Sequence, residues 1–169
     1  NYPTGARTAA EEHIYEGLNY ANKDGEINLH FTVSPAHLEL FKAAVENTKN
    51  EIEKKHNCSI NISYSFQKQS TDTLAATMDN EPFRNDNGEL VFRPGGHGAL
   101  IENLNDLEAD MVFIKNIDNV IHSKIDEIAR YKKALGGLLM QTQARIHQYL
   151  HRLDTSLNDP ELLEEVLHF

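Results

Sequence analysis

The spacing of apolar residues along this chain switches repeatedly between the period of a helix, about 3.6 residues, and that of a strand, about 2. In "ARTAAEEHIYEGLNYAN" the residues Ala10, Ile14, Gly17, Leu18 and Ala21 share one helical face, and Lys23-Asp24-Gly25 ends the run. "EINLHFTV" follows, with Ile27, Leu29, Phe31 and Val33 at alternate positions, which predicts a strand. Ser34-Pro35 then supplies an N-cap and a proline for the first helical position. The next helix carries Leu38, Phe41, Val45, Thr48 and Ile52 down one stripe. "CSINISYSF" returns to alternation through Ile60, Ile62, Tyr64 and Phe66.

Beyond Gln67 the pattern breaks into polar residues, Pro82 and the turn-like Asn85-Asp86-Asn87-Gly88. This predicts a long excursion, to Leu90, containing a short hairpin in "EPFRNDNGELVF". Long irregular segments in compact domains are more often functional than not. After a glycine cluster, a short helix is expected around Ala99–Asp106. "MVFIK" is then a continuous apolar run of the kind that forms a buried parallel strand. Ile121 to Leu153 predicts one long helix, or two joined at Gly136-Gly137. Its core stripe would hold Ile125, Ile128, Leu135, Leu138 or Leu139, Ile146 and Leu150. A last amphipathic helix starts near Asn158-Asp159-Pro160. Such an order of helices and strands implies a parallel sheet covered by helices. Ligands of such sheets sit outside the carboxyl ends of the strands. The segments after Phe66, around the glycines and at 116–119 can therefore meet at one edge.

The 169 residues suffice for one domain with a real core. A net charge of −10, from 26 acids and 16 bases, argues against sequence-independent binding of nucleic acid. It leaves open a small phosphorylated ligand held by backbone amides or a metal. The single cysteine, Cys58, cannot form an internal disulfide and is expected to be a small apolar filler. No apolar run approaches the roughly 20 residues that span a bilayer, so no membrane association is expected. The opening "NYPTGARTAAEEH" has no initiator Met and no signal-peptide pattern. A fragment of a longer protein, from a reducing cytoplasm, is the expectation.

Two clusters could carry chemistry. "PGGHG", Pro94 to Gly98, sets three glycines around His97 ahead of a helix, where a backbone can come close to a ligand and a helix start attracts anions. A plain turn explains the same residues. "NIDN", Asn116 to Asn119, puts Asp118 just past the apolar run, where a carboxylate can reach a magnesium that also binds phosphates. A strand-ending turn in which Asp and Asn bond their own backbone is the alternative. "FQKQSTDT" is rich in hydrogen-bonding side chains or is an ordinary polar loop. His147 and His151, at i and i+4, lack a third metal ligand and suit a solvated face. His30 falls between alternate apolar residues of its strand and is expected to be packed or partly solvated.

"RPGGHGALIENLNDLEADMVFIKNIDN" resembles the segment of uridine-diphosphate-sugar pyrophosphorylases that runs Pro-Pro-Gly-His-Gly, short helix, then a strand ending Asn-Ile-Asp-Asn. "YSFQKQ", an excursion and "LVFRPGGHG" follow that family's order as well. "YPTGARTAAEEHIYEGLNYA" looks like the helix after the lysine segment of sugar nucleotidyltransferases. The likeness spans about residues 5 to 121, and the whole chain also looks like part of an uncharacterised bacterial family known only as a domain of unknown function.

The resemblance implies an α/β fold of the nucleotide-diphospho-sugar transferase type. This is a Rossmann-like three-layer sandwich with a mostly parallel sheet, its N-terminal strand missing and a helical C-terminal tail. Residues 1–120 would form a partial nucleotidyltransferase-like domain, and 121–169 a helical extension packed on it. By the same resemblance Gln67 and Gly96 would recognise a base, and His97 and Gly98 would line the nucleotide. Asp118 would bind magnesium, and Asn119 would support it or touch the sugar. The implied reaction joins a sugar 1-phosphate to a nucleoside triphosphate, UTP by preference, with release of pyrophosphate.

The chain departs from that pattern at Gly95, Ala99 and Lys115. It also starts after the place of the family's phosphate loop and activating lysine. Activity of the chain alone is therefore not expected. A non-catalytic nucleotide or sugar-nucleotide binder and a structural or interaction domain remain alternatives. The absent first strand would leave 26–33 and 110–115 with open edges, which predicts strand exchange between copies, and so a homo-oligomer, or pairing with a segment outside the chain.

Overall fold

The computed structural model describes residues 5–120, 123–156 and 159–169. The expected helix start at Ile121 and the Asn158 end of the last helix signal lie outside these residues, as do Tyr2 to Thr4 of the first motif. The chain divides into two compact units, Asn1–Ile121 and His122–Phe169.

The first unit opens with helix α1, Ala9–Tyr20. Thr8 and Glu11 form a reciprocal capping box at its start, which satisfies donors that a helix end otherwise leaves unpaired. The chain then makes a tight hairpin. Strand β1, Asn22–Lys23, pairs antiparallel with the start of β2, Glu26–Thr32. Asp24 and Gly25 in the turn both have positive φ, 53° and 90°, the geometry for which an Asp-Gly pair is suited. A 3-10 turn at Pro35–His37 leads into helix α2, Leu38–His56, which stops where Asn57 turns left-handed. Strand β3, Ser59–Ser65, then lies parallel to β2 in register, with Ile27 opposite Ile60, Leu29 opposite Ile62 and Phe31 opposite Tyr64.

That βαβ unit encloses the core. Ala10, Ile14, Ile27, Val45, Ile52 and Ile60 are buried together, with Leu18, Leu29, Phe41 and Ile62 packed around them. Each fully buried isoleucine contributes about 2–3 kcal/mol by leaving water. Gly17 gives β2 its approach to α1, since a Cβ there would stand 3.0 Å from Leu29 Cδ2. The odd residues of β2 and even residues of β3 thus face the helices. Asn28, His30 and Thr32 share the opposite, polar face with Asn61, Ser63 and Ser65.

The sheet is not the extended, mostly parallel sheet of a Rossmann-like sandwich. β1, β2 and β3 form one three-stranded sheet with a single parallel pair, and β4, Thr73–Leu74, pairs with β5, Phe92–Arg93, in a separate two-stranded one. The expected strand at 110–115 is absent. That segment uses its side chains on α1 instead: Phe113 packs edge-on against Tyr20, with ring centroids 5.0 Å apart, and Lys115 pairs with Glu16. The alternate residues Val112 and Ile114 stay 40% and 71% exposed. An extended segment tied to a helix by every second side chain needs no ladder, so its apolar run alone does not make it a strand.

Between β4 and β5 the excursion is a drawn-out hairpin, with isolated bridges Ala76–Pro82 and Arg84–Leu90. Its tip is shaped by Asn85, whose side-chain oxygen accepts from the backbone of Asn87 and Glu89. A 3-10 turn at His97–Leu100 and the short helix α3, Ile101–Asn105, follow.

In the second unit, helix α4 runs unbroken from Ile125 to Thr155, through Gly136-Gly137, and α5 spans Pro160–His168 behind an Asp159 N-cap. The buried positions of α4 are Ala129, Gly136 and Tyr149. Little of the expected stripe is buried: Ile128 is half-buried, and Ile125, Leu135, Leu138, Leu139, Ile146 and Leu150 are exposed. Tyr149 instead anchors α5, packing on Phe169 at 5.2 Å and donating to Glu165 at 3.1 Å, while Leu162 is buried. Among the described residues no helix is long and apolar enough to cross a membrane.

Candidate ligand-binding loops

β3 ends at Ser65, and the chain leaving it is gripped from two sides. Asn103 of α3 donates its amide to Phe66 O at 2.7 Å and to Ser65 Oγ at 2.9 Å. Lys68 pairs with Asp106 at 2.8 Å, just beyond the same helix. Gln67 reaches the glycine cluster. The amide orientation that satisfies its neighbours has Oε1 accepting from Gly95 N–H at 2.7 Å and Nε2 donating to Gly95 C=O at 3.2 Å. The strand end and the "PGGHG" segment are thereby one structural piece.

The glycines of that piece have different reasons to be glycine. At Gly95 a Cβ would stand 2.8 Å from Thr71 O and 2.9 Å from Ala99 Cβ, so packing demands a bare backbone. At Gly96 and Gly98 a Cβ would meet nothing within 4 Å. Gly96 is extended, with φ −73° and ψ −171°, a conformation open to any residue. The ring of His97 is exposed and has no partner among the described residues. The expected helix-start contribution to anion binding does not apply here, because a 3-10 turn and the five-residue α3 carry too little aligned backbone.

Asp118 and Asn119 lie on another piece, a turn in which Asn119 N–H donates to Asn116 O and Val120 N–H to Asp118 O. α1 fixes this turn: His13 Nε2 is 2.9 Å from Ile117 O, which can only accept, so that nitrogen carries the proton. Behind it Glu16 holds Lys115 and takes the Tyr20 hydroxyl at 3.0 Å. The Asp118 carboxylate itself is exposed and unpaired among the described residues. No hydrogen bond or ion pair among them joins this turn to Gln67, Gly96, His97 or Gly98. The structure thus groups four of the six expected site residues in one loop system and two in another.

Among the described residues no cluster of three or more His, Cys, Asp or Glu is placed to hold a metal, and His147 and His151 are both exposed. A magnesium that keeps phosphate and water ligands needs only one or two carboxylates, and Asp118 offers one that is open. Gln67 is less free than a base-reading role requires, because both ends of its amide are occupied by Gly95.

Alternation along the strands concealed a further cluster. His30 sits on the polar face with Nδ1 2.7 Å from Ser63 Oγ and Nε2 2.8 Å from Ser65 Oγ. Burial pushes its imidazole below the usual histidine range. Asn103, 4% exposed, closes over the same spot with its Oδ1 unpaired. The signal was present in the facing polar sets Asn28, His30, Thr32 and Asn61, Ser63, Ser65, but it needed the parallel register to be seen.

No curated protein and no solved structure matches the chain, so the likeness to uridine-diphosphate-sugar pyrophosphorylases rests on the motifs alone. The model of one family, described as a domain of unknown function (DUF4301), matches residues 1–169, and the chain belongs to that family.

Proposed function

We propose that this protein binds a nucleoside triphosphate with magnesium, UTP in the first instance, and takes part in transferring its nucleotidyl group to a sugar 1-phosphate. The observation that carries the reading is the bare backbone at Gly96 and Gly98, where neither packing nor φ requires glycine. Bare backbone on an exposed loop leaves room for a close approach by a ligand. Among the described residues the ring of the neighbouring His97 and the carboxylate of Asp118 have no partner. The reaction forms a bond from the sugar-phosphate oxygen to the α-phosphorus and releases pyrophosphate. Magnesium would supply charge neutralisation between the phosphates, held on the protein side by Asp118. Gln67 acts as a positioning residue that seats the glycine loop through Gly95, and Asn119 belongs to the Asp118 turn.

A second reading, binding without turnover, is favoured by one observation. Lys115, the cation next to "NIDN", is committed to Glu16 and is not available to phosphates. Transfer depends on charge neutralisation more than on a general base. Incubating the full-length protein with magnesium, UTP and a panel of sugar 1-phosphates separates the two. Pyrophosphate release that needs one of the sugars establishes transfer. Saturable UTP binding with no pyrophosphate selects the binder, and no binding of any nucleotide removes both.

A further inference from the structure

The polar face of the β2–β3 pair holds a constellation that nucleotide binding does not use. Ser63 Oγ lies 3.4 Å from the carbonyl of Leu29, which can only accept. In the tautomer that carries the proton on His30 Nδ1, Ser63 Oγ receives it at 2.7 Å. That leaves the lone pair of His30 Nε2 facing Ser65 Oγ at 2.8 Å, and the Ser65 hydroxyl donates into it. A hydroxyl is bonded to a neutral imidazole whose far nitrogen is held by a third group, the arrangement by which a serine is activated.

The surroundings favour loss of the Ser65 proton. Asn103 Nδ2 donates to Ser65 Oγ at 2.9 Å, and the Thr32 hydroxyl lies 3.1 Å away. Both can stabilise charge that grows on that oxygen. Burial pushes the His30 imidazole below the usual histidine range, which favours its neutral form with one ring nitrogen unprotonated. Among the described residues the backbone N–H of Phe66, next along from Ser65, makes no hydrogen bond.

We propose that Ser65 is a nucleophile with His30 as its general base, a second reactive centre that takes an acyl group from a small ester. Ser65 Oγ bonds to the ester carbonyl carbon as its proton passes to His30 Nε2. The carbon–oxygen bond to the alcohol breaks, and the departing alkoxide takes the proton from His30. Water, deprotonated by His30, then hydrolyses the acyl-serine to a carboxylic acid and restores the hydroxyl. Ser63 is a positioning residue, fixing the ring through Nδ1.

The test uses the full chain, a fluorophosphonate probe read by peptide mass spectrometry, and p-nitrophenyl acetate as ester. One label is expected, on Ser65, together with release of nitrophenol. Ser65→Ala abolishes both. His30→Gln slows labelling by about 100-fold or more with an unchanged melting temperature. Ser63→Ala slows it by about tenfold, and the wild-type rate persists to a pH below the ordinary histidine range. No label on Ser65 in the wild type, or a rate that His30→Gln leaves unchanged, overturns the proposal. Should His30→Gln fail to fold, Ser63→Ala decides: a slowed rate supports the assignment and an unchanged rate refutes it.

Discussion

The hydroxyl of Thr48 donates to Glu11 Oε1 across 2.9 Å, tying the middle of α2 to the capping box of α1. Burial alone would raise the Glu11 carboxyl, but hydrogen bonds from the Thr8 backbone and hydroxyl and from Thr48 outweigh it and hold the group below the usual carboxylate range. A carboxyl depressed by folding contributes stability that is present above its unfolded pKa and lost as pH falls through the folded one. Thr48→Val, which leaves Oε1 without its donor, is expected to cost about 1–2 kcal/mol at neutral pH in urea unfolding. The difference between variant and wild type should shrink below the usual carboxylate range, once Glu11 is protonated in both. A constant difference down to the acid end would mean that the hydroxyl, and not the charge, carries the link.

Neighbouring glycines should respond in opposite ways. Gly95→Ala forces a Cβ against Thr71 O and Ala99 Cβ, and is expected to destabilise the first unit by about 1–3 kcal/mol. Gly96→Ala meets open space at an unstrained φ and should leave the melting temperature unchanged. If the loop accepts a ligand at its bare backbone, Gly96→Ala weakens nucleotide binding in spite of its native stability. Paired melting curves and titrations of the two variants read both effects.

Lys115 and Glu16 are each about nine-tenths buried, with side chains 13% and 10% exposed. Removing Lys115 takes its cation from the buried Glu16 carboxylate, which keeps the Tyr20 hydroxyl. Lys115→Met should cost about 3 kcal/mol. It should also raise hydrogen exchange at 113–120, because the extended segment loses the middle of its three anchors on α1. Exchange that rises nowhere in that segment would mean that Tyr20 and His13 hold it alone.

His30 provides the opposite acid behaviour to a paired histidine. Its folded pKa lies below its unfolded value, so the unfolded chain takes up the proton first as pH falls. The penalty is absent above the unfolded histidine range and grows as pH drops through it. The wild-type melting temperature should therefore decline between about pH 7 and pH 5, and His30→Gln should flatten that decline.

Much of the first unit is legible in the amino-acid sequence. The alternation in "EINLHFTV" and "CSINISYSF" and the stripe from Leu38 to Ile52 give a βαβ unit, because each element there buries most of the face its period predicts, Phe66 beyond the end of β3 being exposed. "MVFIK" misled because composition does not reveal what an extended run will touch, and Phe113 and Lys115 found partners on a helix. α4 misled for a related reason: its period was right, but the buried positions are the small Ala129 and Gly136 and the aromatic Tyr149. The candidate loops were legible as turn chemistry at "PGGHG" and "NIDN". That Gln67 spends its amide on Gly95 was not, since it depends on two segments 28 positions apart meeting within hydrogen-bonding distance.

The most direct measurement is a calorimetric titration of the chain with UTP, with and without magnesium, for wild type and Asp118→Asn. Saturable binding that requires magnesium and falls at least tenfold in Asp118→Asn is the predicted result. Binding of no nucleotide, or equal affinity in Asp118→Asn, would contradict the account and leave the glycine loop and the Asp118 turn as surface structure alone.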